Sequence, residues 1–495
     1  MGELYLELHR ATLTSQHQTK AGNRRTEQLL VEAELWAATA SVYAGAAYPY
    51  EQLDELWETV LLHQFHDILP GTSIAWVHRE VVARYAQIIE QAQALILAAQ
   101  QQLAGAGSTP IAFNGAAFTR NALAFGQAKP VQAPAGTAVQ AIAADGGYVL
   151  DNSVVRVRVN AQGLITSAVD LATGRETIAA GQEANLLQLH QDFPNMWDAW
   201  DVDKYYRNQV TDLRGLESLE LSAREDGSQV ITIARSFSNS TLVQELSLSP
   251  GSRTVQISQS TDWHEAEKFL KVAFPLDIRA EHAIAETQFG YHKRVTHVNT
   301  SWEAAKFETS MHRFVLAEEP GFGAALINDS IYGFDVSRDA KDAQVTTTMR
   351  LSLLRAPRFP DPETDQGVQT HRYGLVIGAD VAAATEAGAL LNSAERVIEG
   401  AQGVDPLVSL SGEGLVISSV KLAADRSGDL VVRVYESLGR RAHGSLMVNA
   451  QLGSAATVSL LEDELAGQSV ELDDGAVPLK LGAFEVRTLR FALAK

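Results

Sequence analysis

The chain has 495 residues, 46% of them hydrophobic, which is enough to bury the cores of about two to four domains. Sixty acidic against forty basic residues give a formal charge of -20, which repels phosphate backbones and anionic lipid and argues against nucleic acid or membrane partners. There is no cysteine, so disulfides, iron–sulfur clusters and thiolate zinc sites are excluded, and any metal must use His, Asp or Glu.

The opening MGELYLELHR has neither a basic n-region nor an apolar h-region, and no stretch approaches the roughly 18 apolar residues of a membrane span. A cytoplasmic location is the default expectation, with homo-oligomerisation left open. Leu29, Ala33, Trp36, Ala40 and Tyr43 form the stripe of an amphipathic helix. After Tyr48-Pro49, the residues Leu53, Leu56, Trp57, Val60, Leu61 and Phe65 mark a second helix that stops at Pro70-Gly71. A third starts near Ser73, with Ile74, Val77, Val81, Tyr85, Ile88, Ala92 and Leu95 on one face, and ends at the Gly-rich AGAGSTP. Three helices with short connections predict an antiparallel bundle over residues 1–105.

Beyond this the period falls to two, as in Val155-Arg156-Val157-Arg158-Val159 and Val255-Gln256-Ile257. Strands without intervening helical periods predict large antiparallel sandwiches over 106–400. NSAERVIEGAQGVDP, near 392–406, reads as a linker, and Leu415–Val420, Leu430–Tyr435 and Phe484–Phe491 as a smaller β-sandwich over 401–495. The expected class is α+β and multidomain.

The chemistry gathers in Leu61-Leu62-His63-Gln64-Phe65-His66-Asp67-Ile68-Leu69-Pro70-Gly71, read as the last turn of the second helix. Successive helical residues differ by about 100°, so His66 and Asp67 are expected on different sides of one ligand, one free for metal and the other for hydroxyls. A helix C-terminus favours a cation, and neutral imidazole is a common zinc ligand. The plainer alternative is a histidine that caps carbonyls. His63 reads as a supporting or surface group, and His190-Gln191-Asp192, in a β region, as a chance H-x-D.

LLHQFHDILPGTS resembles the signature of family 38 α-mannosidases, and ELYLELHRATLTSQHQTKAGNRRTEQLL resembles the entry to their helical bundle. The resemblance continues in order through DFPNMWDAWDVDKYY, QFGYHKRVTHVNTSWEAAKFE, GFGAALINDSIYGFDV, LSLLRAPRFPDPETDQGVQTHRYGL, VVRVYESLG and FEVRTLRF, closest to the bacterial branch. It implies that a galactose-mutarotase-like super-sandwich follows the bundle, and that His66 is a ligand of the family's single zinc ion. Asp67 then binds hydroxyls of a terminal mannose, and Arg355 approaches the substrate from the β region.

The resemblance further implies a retaining α-mannosidase whose nucleophile and acid/base carboxylates lie in an N-terminal α/β domain with no counterpart here. This chain is then expected to carry no catalytic residue, to be inactive alone, and to have an α-mannoside and that domain as partners. Asp192, Trp197 and Asp198 read either as cleft residues or as a buried Trp with hydrogen-bonded Asp neighbours. His9-Arg10 and Arg24-Arg25 are expected to hold the bundle to the N-terminal domain. Ala11, where the family has glycine, and Phe113-Asn114-Gly115, where it has Asn-Pro, concern local backbone only. The competing function is a carbohydrate-binding or structural sandwich protein that has lost catalysis.

Overall fold

The computed structural model describes residues 3–132, 137–341, 344–472 and 475–494. The stripe beginning at Leu29 belongs to a longer helix, α1 (His17–Ala44), closed by Gly45 in the left-handed conformation at φ 64°. No side chain of its own caps its first turn. Asp365, 348 residues further along the chain, accepts the His17 N–H at 2.7 Å and so sets a carboxyl oxygen at the positive end of the helix. α2 (Tyr50–His63) and α3 (Ala75–Ala104) complete the bundle. α1 packs mainly along α3, and the approach is close: a Cβ on Gly22 would meet the Tyr85 ring at 2.4 Å. Leu53, Leu56 and Val60 are buried as expected, but Leu61 and Phe65 of the same stripe are exposed.

From Thr109 onward the described strands pair antiparallel. A nine-stranded sheet, from the Ser218–Ala223 edge to the Gly290–Val295 edge, packs against a six-stranded sheet that contains Lys268–Leu276, Gln344–Arg355 and Leu186–Gln191. Their apolar faces share one core, which includes Val157, Trp263, Phe274, Leu326, Leu351 and Tyr373. The polar face of the six-stranded sheet carries Lys271 beside Ser352 and Gln188 in cross-strand register. Among the described residues no helix is long and apolar enough to cross a membrane.

Two expectations need correction. The region is not free of helix: Val381–Asn392 is helical, started by Asp380, whose carboxylate accepts the Ala383 N–H at 2.8 Å. Its alanines carry only a weak stripe, so periodicity hides it. The linker near 392–406 is instead partly strand. Arg396–Gly400 pairs antiparallel with Thr109–Phe113, and Val404 exchanges backbone hydrogen bonds of 2.8 Å with Ala128. This pairing joins the two ends of the β region. It also places the terminal β unit on the bundle, where Leu430, Val432 and Phe491 share a core with Leu29, Trp36 and Phe113.

Buried charge ties the large sandwich together. Glu286, on strand His282–Thr287, takes the Arg313 guanidinium in a two-pronged clasp and the Arg313 N–H at 2.7 Å. Burial alone would raise this carboxyl, but Arg313 and His312 reverse the sign and hold it far below the usual carboxylate range. A carboxyl depressed in the fold contributes stability above its unfolded pKa and loses it as pH falls through the folded one, at about 1.4 kcal/mol per unit. Urea unfolding measured from pH 6 downward, roughly to pH 2, is therefore expected to weaken less steeply below about pH 4.5 in Glu286→Gln than in the wild type. Parallel curves would show that Glu286 is not the acid-sensitive group.

Candidate functional site

α2 ends at His63, and the next eight residues leave the helix as consecutive turns. Phe65 N–H bonds Leu62 O at 3.2 Å, Ile68 N–H bonds Phe65 O at 2.9 Å, and Gly71 N–H bonds Ile68 O at 3.0 Å. Gln64 is drawn inward by Glu27 at 2.7 Å and Asn23 at 3.1 Å. Gly71 closes the loop at φ 86° where a Cβ would strike Ser15 O at 2.3 Å, so the Pro-Gly pair serves both direction and close approach. The expected 100° separation of His66 and Asp67 fails because it assumed helix here. Turn geometry swings them together: His66 Nε2 lies 3.4 Å from Asp67 Oδ2, with the two side chains 77% and 40% exposed. Thr72 fixes Asp67 by donating its hydroxyl to Oδ1 at 2.9 Å, while its N–H goes to Asp67 O at 3.1 Å.

The loop is fastened from below by a buried lysine. Lys20 Nζ donates to Ser15 O at 2.5 Å, Leu69 O at 2.9 Å and Pro70 O at 3.1 Å, a set of carbonyls with no carboxylate among them. Burial draws its ammonium down to about 7, and burial likewise pushes the carboxyl of Asp365 up to about 7. Ser15 then reaches the segment Asp192–Asp203: its hydroxyl donates to Ala199 O at 3.1 Å and accepts from Arg355 at 3.1 Å. The His66 loop and the Trp197-Asp198-Ala199-Trp200-Asp201 loop are thus neighbours across Ser15.

Arg355 has no accessible side-chain surface. Its guanidinium meets Asp192 at 2.5–2.7 Å, Asp198 O at 2.6 Å and Asp201 O at 3.3 Å, so it braces the second loop from inside. Direct contact with a substrate, as the resemblance implies, would require this side chain to leave all of those partners. Asp192 is buried with it, whereas Trp197 is exposed, against the reading of a buried tryptophan. Arg10 and Arg24 also differ from expectation, because their partners lie within this chain. Arg10 bonds Ala305 O and Asp201, and Arg24 bonds His312 O and Asn392, each at 3.1–3.2 Å. His63 is buried edge-on against Tyr85. His190 is also buried, edge-on to Tyr206, and burial holds it down to about 4.

The donors fit zinc in kind, since an exposed imidazole nitrogen and a carboxylate oxygen are both ordinary ligands. They do not complete a site, as no group of three or more His, Asp or Glu able to hold a metal occurs among the described residues. Lys20 was missed as a candidate from the sequence, whereas Trp197 was weighed there as a cleft residue or a buried tryptophan. A lysine in the first turn of a helix that otherwise packs on every side is the signal that could have found Lys20.

Comparison with known proteins agrees with this layout. The "Alpha mannosidase middle domain" matches residues 7–103, the "Glycosyl hydrolases family 38 C-terminal domain" matches 150–363, and the "Glycosyl hydrolases family 38 C-terminal beta sandwich domain" matches 414–489. Alpha-mannosidase 2C1 of Homo sapiens is 32% identical over 100% of this chain and 50% of its own length. Alpha-mannosidase of Saccharomyces cerevisiae is 31% identical, covering 99% and 48%. The chain thus spans about half the length of the curated relatives it matches. The crystal structure of an alpha-mannosidase from Enterococcus faecalis V583 superposes with a TM-score of 0.79 at 16% identity, over 97% of this chain and 68% of that one, and so shares the fold. With the bundle, the large sandwich and the small sandwich each matched in order, the chain belongs to glycoside hydrolase family 38, of which it carries the middle and C-terminal domains.

Proposed function

We propose that this chain is the C-terminal portion of a retaining, zinc-dependent α-mannosidase that hydrolyses terminal α-mannosides. The observation that carries the reading is the exposed His66–Asp67 pair, displayed on a loop whose every turn is hydrogen-bonded. The alpha-mannosidase relatives supply the substrate class. His66 would hold the metal and Asp67 would accept hydrogen bonds from hydroxyls of the bound sugar. Zinc, when bound, supplies Lewis acidity that orients and polarises sugar hydroxyls. Arg355, locked onto Asp192, acts by holding the neighbouring loop in place.

A retaining glycosidase needs two carboxyl groups about 5–5.5 Å apart. We assign these, and the remaining metal ligands, to a preceding α/β domain, in keeping with the half of the relatives' length that this chain does not span. The surface beside the pair suits such a partner. Leu61, Leu62, Phe65, Ile74 and Trp76 stand exposed around the loop, and Phe359 and Trp302 lie on segments stitched to it through Ala199 and Arg10. Exposed large apolar side chains on both flanks of the donor loop are of the kind that mark an interaction site. The 495-residue protein is expected to leave 4-nitrophenyl α-mannoside intact, and a polypeptide that also includes the domain encoded upstream should hydrolyse it, lose activity to a chelator and release α-mannose first. Turnover by this chain alone would put a complete active site within it and overturn the assignment of the carboxylates to another domain, whereas an inert longer polypeptide would sink the reading in favour of a sandwich protein without catalysis.

A further inference from the structure

The segment Asp192–Asp203 is braced almost everywhere except at its most conspicuous side chain. Arg355 holds Asp192 and the carbonyls of Asp198 and Asp201. The Asp198 carboxylate accepts the N–H groups of Arg358 at 2.5 Å and Phe359 at 3.2 Å, and Ala199 N–H reaches Phe359 O at 3.1 Å. Trp197 O takes the N–H groups of both Trp200 and Asp201 at 2.8–2.9 Å. In the middle of this frame Trp197 sits at φ 62°, a left-handed conformation that a bulky L residue adopts only at a cost of about 1–3 kcal/mol. Its indole buys no burial for that cost. It is 51% exposed, and its ring contact is the edge-on approach of Trp200 at 6.1 Å.

Strain held by a rigid frame, with the side chain projected to solvent, fits a surface that must meet a ligand at a set angle. The surroundings indicate which ligand. A pyranose offers an apolar C–H face and a rim of hydroxyls, so it is matched by an aromatic face with short polar side chains at its edge. Here Asn195, two residues before Trp197, is exposed with its amide 3.5 Å from Asp203, and Ala199 connects the loop through Ser15 to the one that carries His66 and Asp67.

We propose that Trp197 is a sugar-stacking platform that receives a pyranose ring of the glycoside beside the His66–Asp67 pair. This rests on the α-mannoside reading for the identity of the sugar and goes beyond it in assigning a binding subsite to a residue outside the metal loop. Saturation-transfer NMR on the 495-residue protein with methyl α-mannoside tests it, using Trp197→Ala, Trp197→Phe and Trp197→Gly. The wild type should transfer to the ring C–H protons, with Phe keeping most of the signal. Ala and Gly should weaken binding about tenfold, the loss of roughly one stacked contact. Gly, freed of the strained φ, should unfold at the same temperature as wild type or higher.

A tryptophan that merely packs would behave in the opposite way, with Gly and Ala lowering the unfolding temperature and leaving transfer unchanged, and that result overturns the proposal. So does a wild type that transfers to no pyranoside. Transfer to methyl β-galactoside in preference to the mannoside, lost in Trp197→Ala, supports the platform and removes the mannoside reading instead.

Discussion

Replacing Lys271 with methionine is expected to cost the fold about 3–5 kcal/mol, seen as a large fall in the urea midpoint at unchanged slope. Lys271 has no exposed side-chain surface, and neither do its two partners beyond a trace. Its ammonium donates to Glu308, to Asp335 at 2.5 Å and to the Tyr206 hydroxyl at 3.1 Å. Glu308 also accepts from Ser352 at 2.8 Å, and Asp335 from Arg207 and Arg350 at 3.1 Å. Burial by itself would lower the lysine, but the two carboxylates outweigh it and raise it. Burial would raise Asp335, and Lys271 with both arginines holds it well below its ordinary value.

Methionine keeps the length of the side chain while leaving buried Glu308 without its ion-pair cation and Asp335 with Arg207 and Arg350 alone, which is why the penalty is large. If the cost is uncompensated charge and not lost packing, adding Glu308→Gln to Lys271→Met should recover much of the loss, while Asp335 stays paired with Arg207 and Arg350. A double variant no more stable than the single one would place the cost in packing.

The second large effect concerns binding and leaves stability alone. In a polypeptide that includes the preceding domain, His66→Ala is expected to weaken zinc by more than about a hundredfold in competition with a chromogenic chelator, because a lost ligand costs at least as much as a lost supporting group. The same change should move unfolding free energy by less than about 0.5 kcal/mol, since the imidazole is 77% exposed and packs on little but Phe65. The contrast separates a ligand from a structural histidine. A variant that keeps its zinc, or that unfolds early, would remove His66 from the metal.

Much of the bundle was legible because its signals are local. A stripe such as Leu53, Leu56, Val60 needs only neighbouring turns, and the HDILPG run stands out within a few residues. The same local logic misled at His66, where an apolar pattern continuing through Phe65 implied helix, while Gln64 was being drawn away by Glu27 and Asn23. Lys271 was visible as a cation within the strand Lys268–Leu276, but its partners lie 37 and 64 residues away, Glu308 in a bend and Asp335 on another strand.

The order of the domains, the absence of thiolate chemistry and the residues that present a donor pair were determined by the sequence by itself, because composition and short-range period require no knowledge of what folds against what. Tertiary structure alone decided that Arg355 would be interred and Trp197 displayed, that Lys20 would fasten the donor loop, and that the terminal sandwich, through Leu430 and Phe491, would share a core with Leu29 and Trp36 of the first helix. The reason is physical: burial and electrostatic pairing are properties of distance in space, and the cost of closing a loop grows only slowly with its length, so partners need leave no trace in each other's sequence neighbourhood.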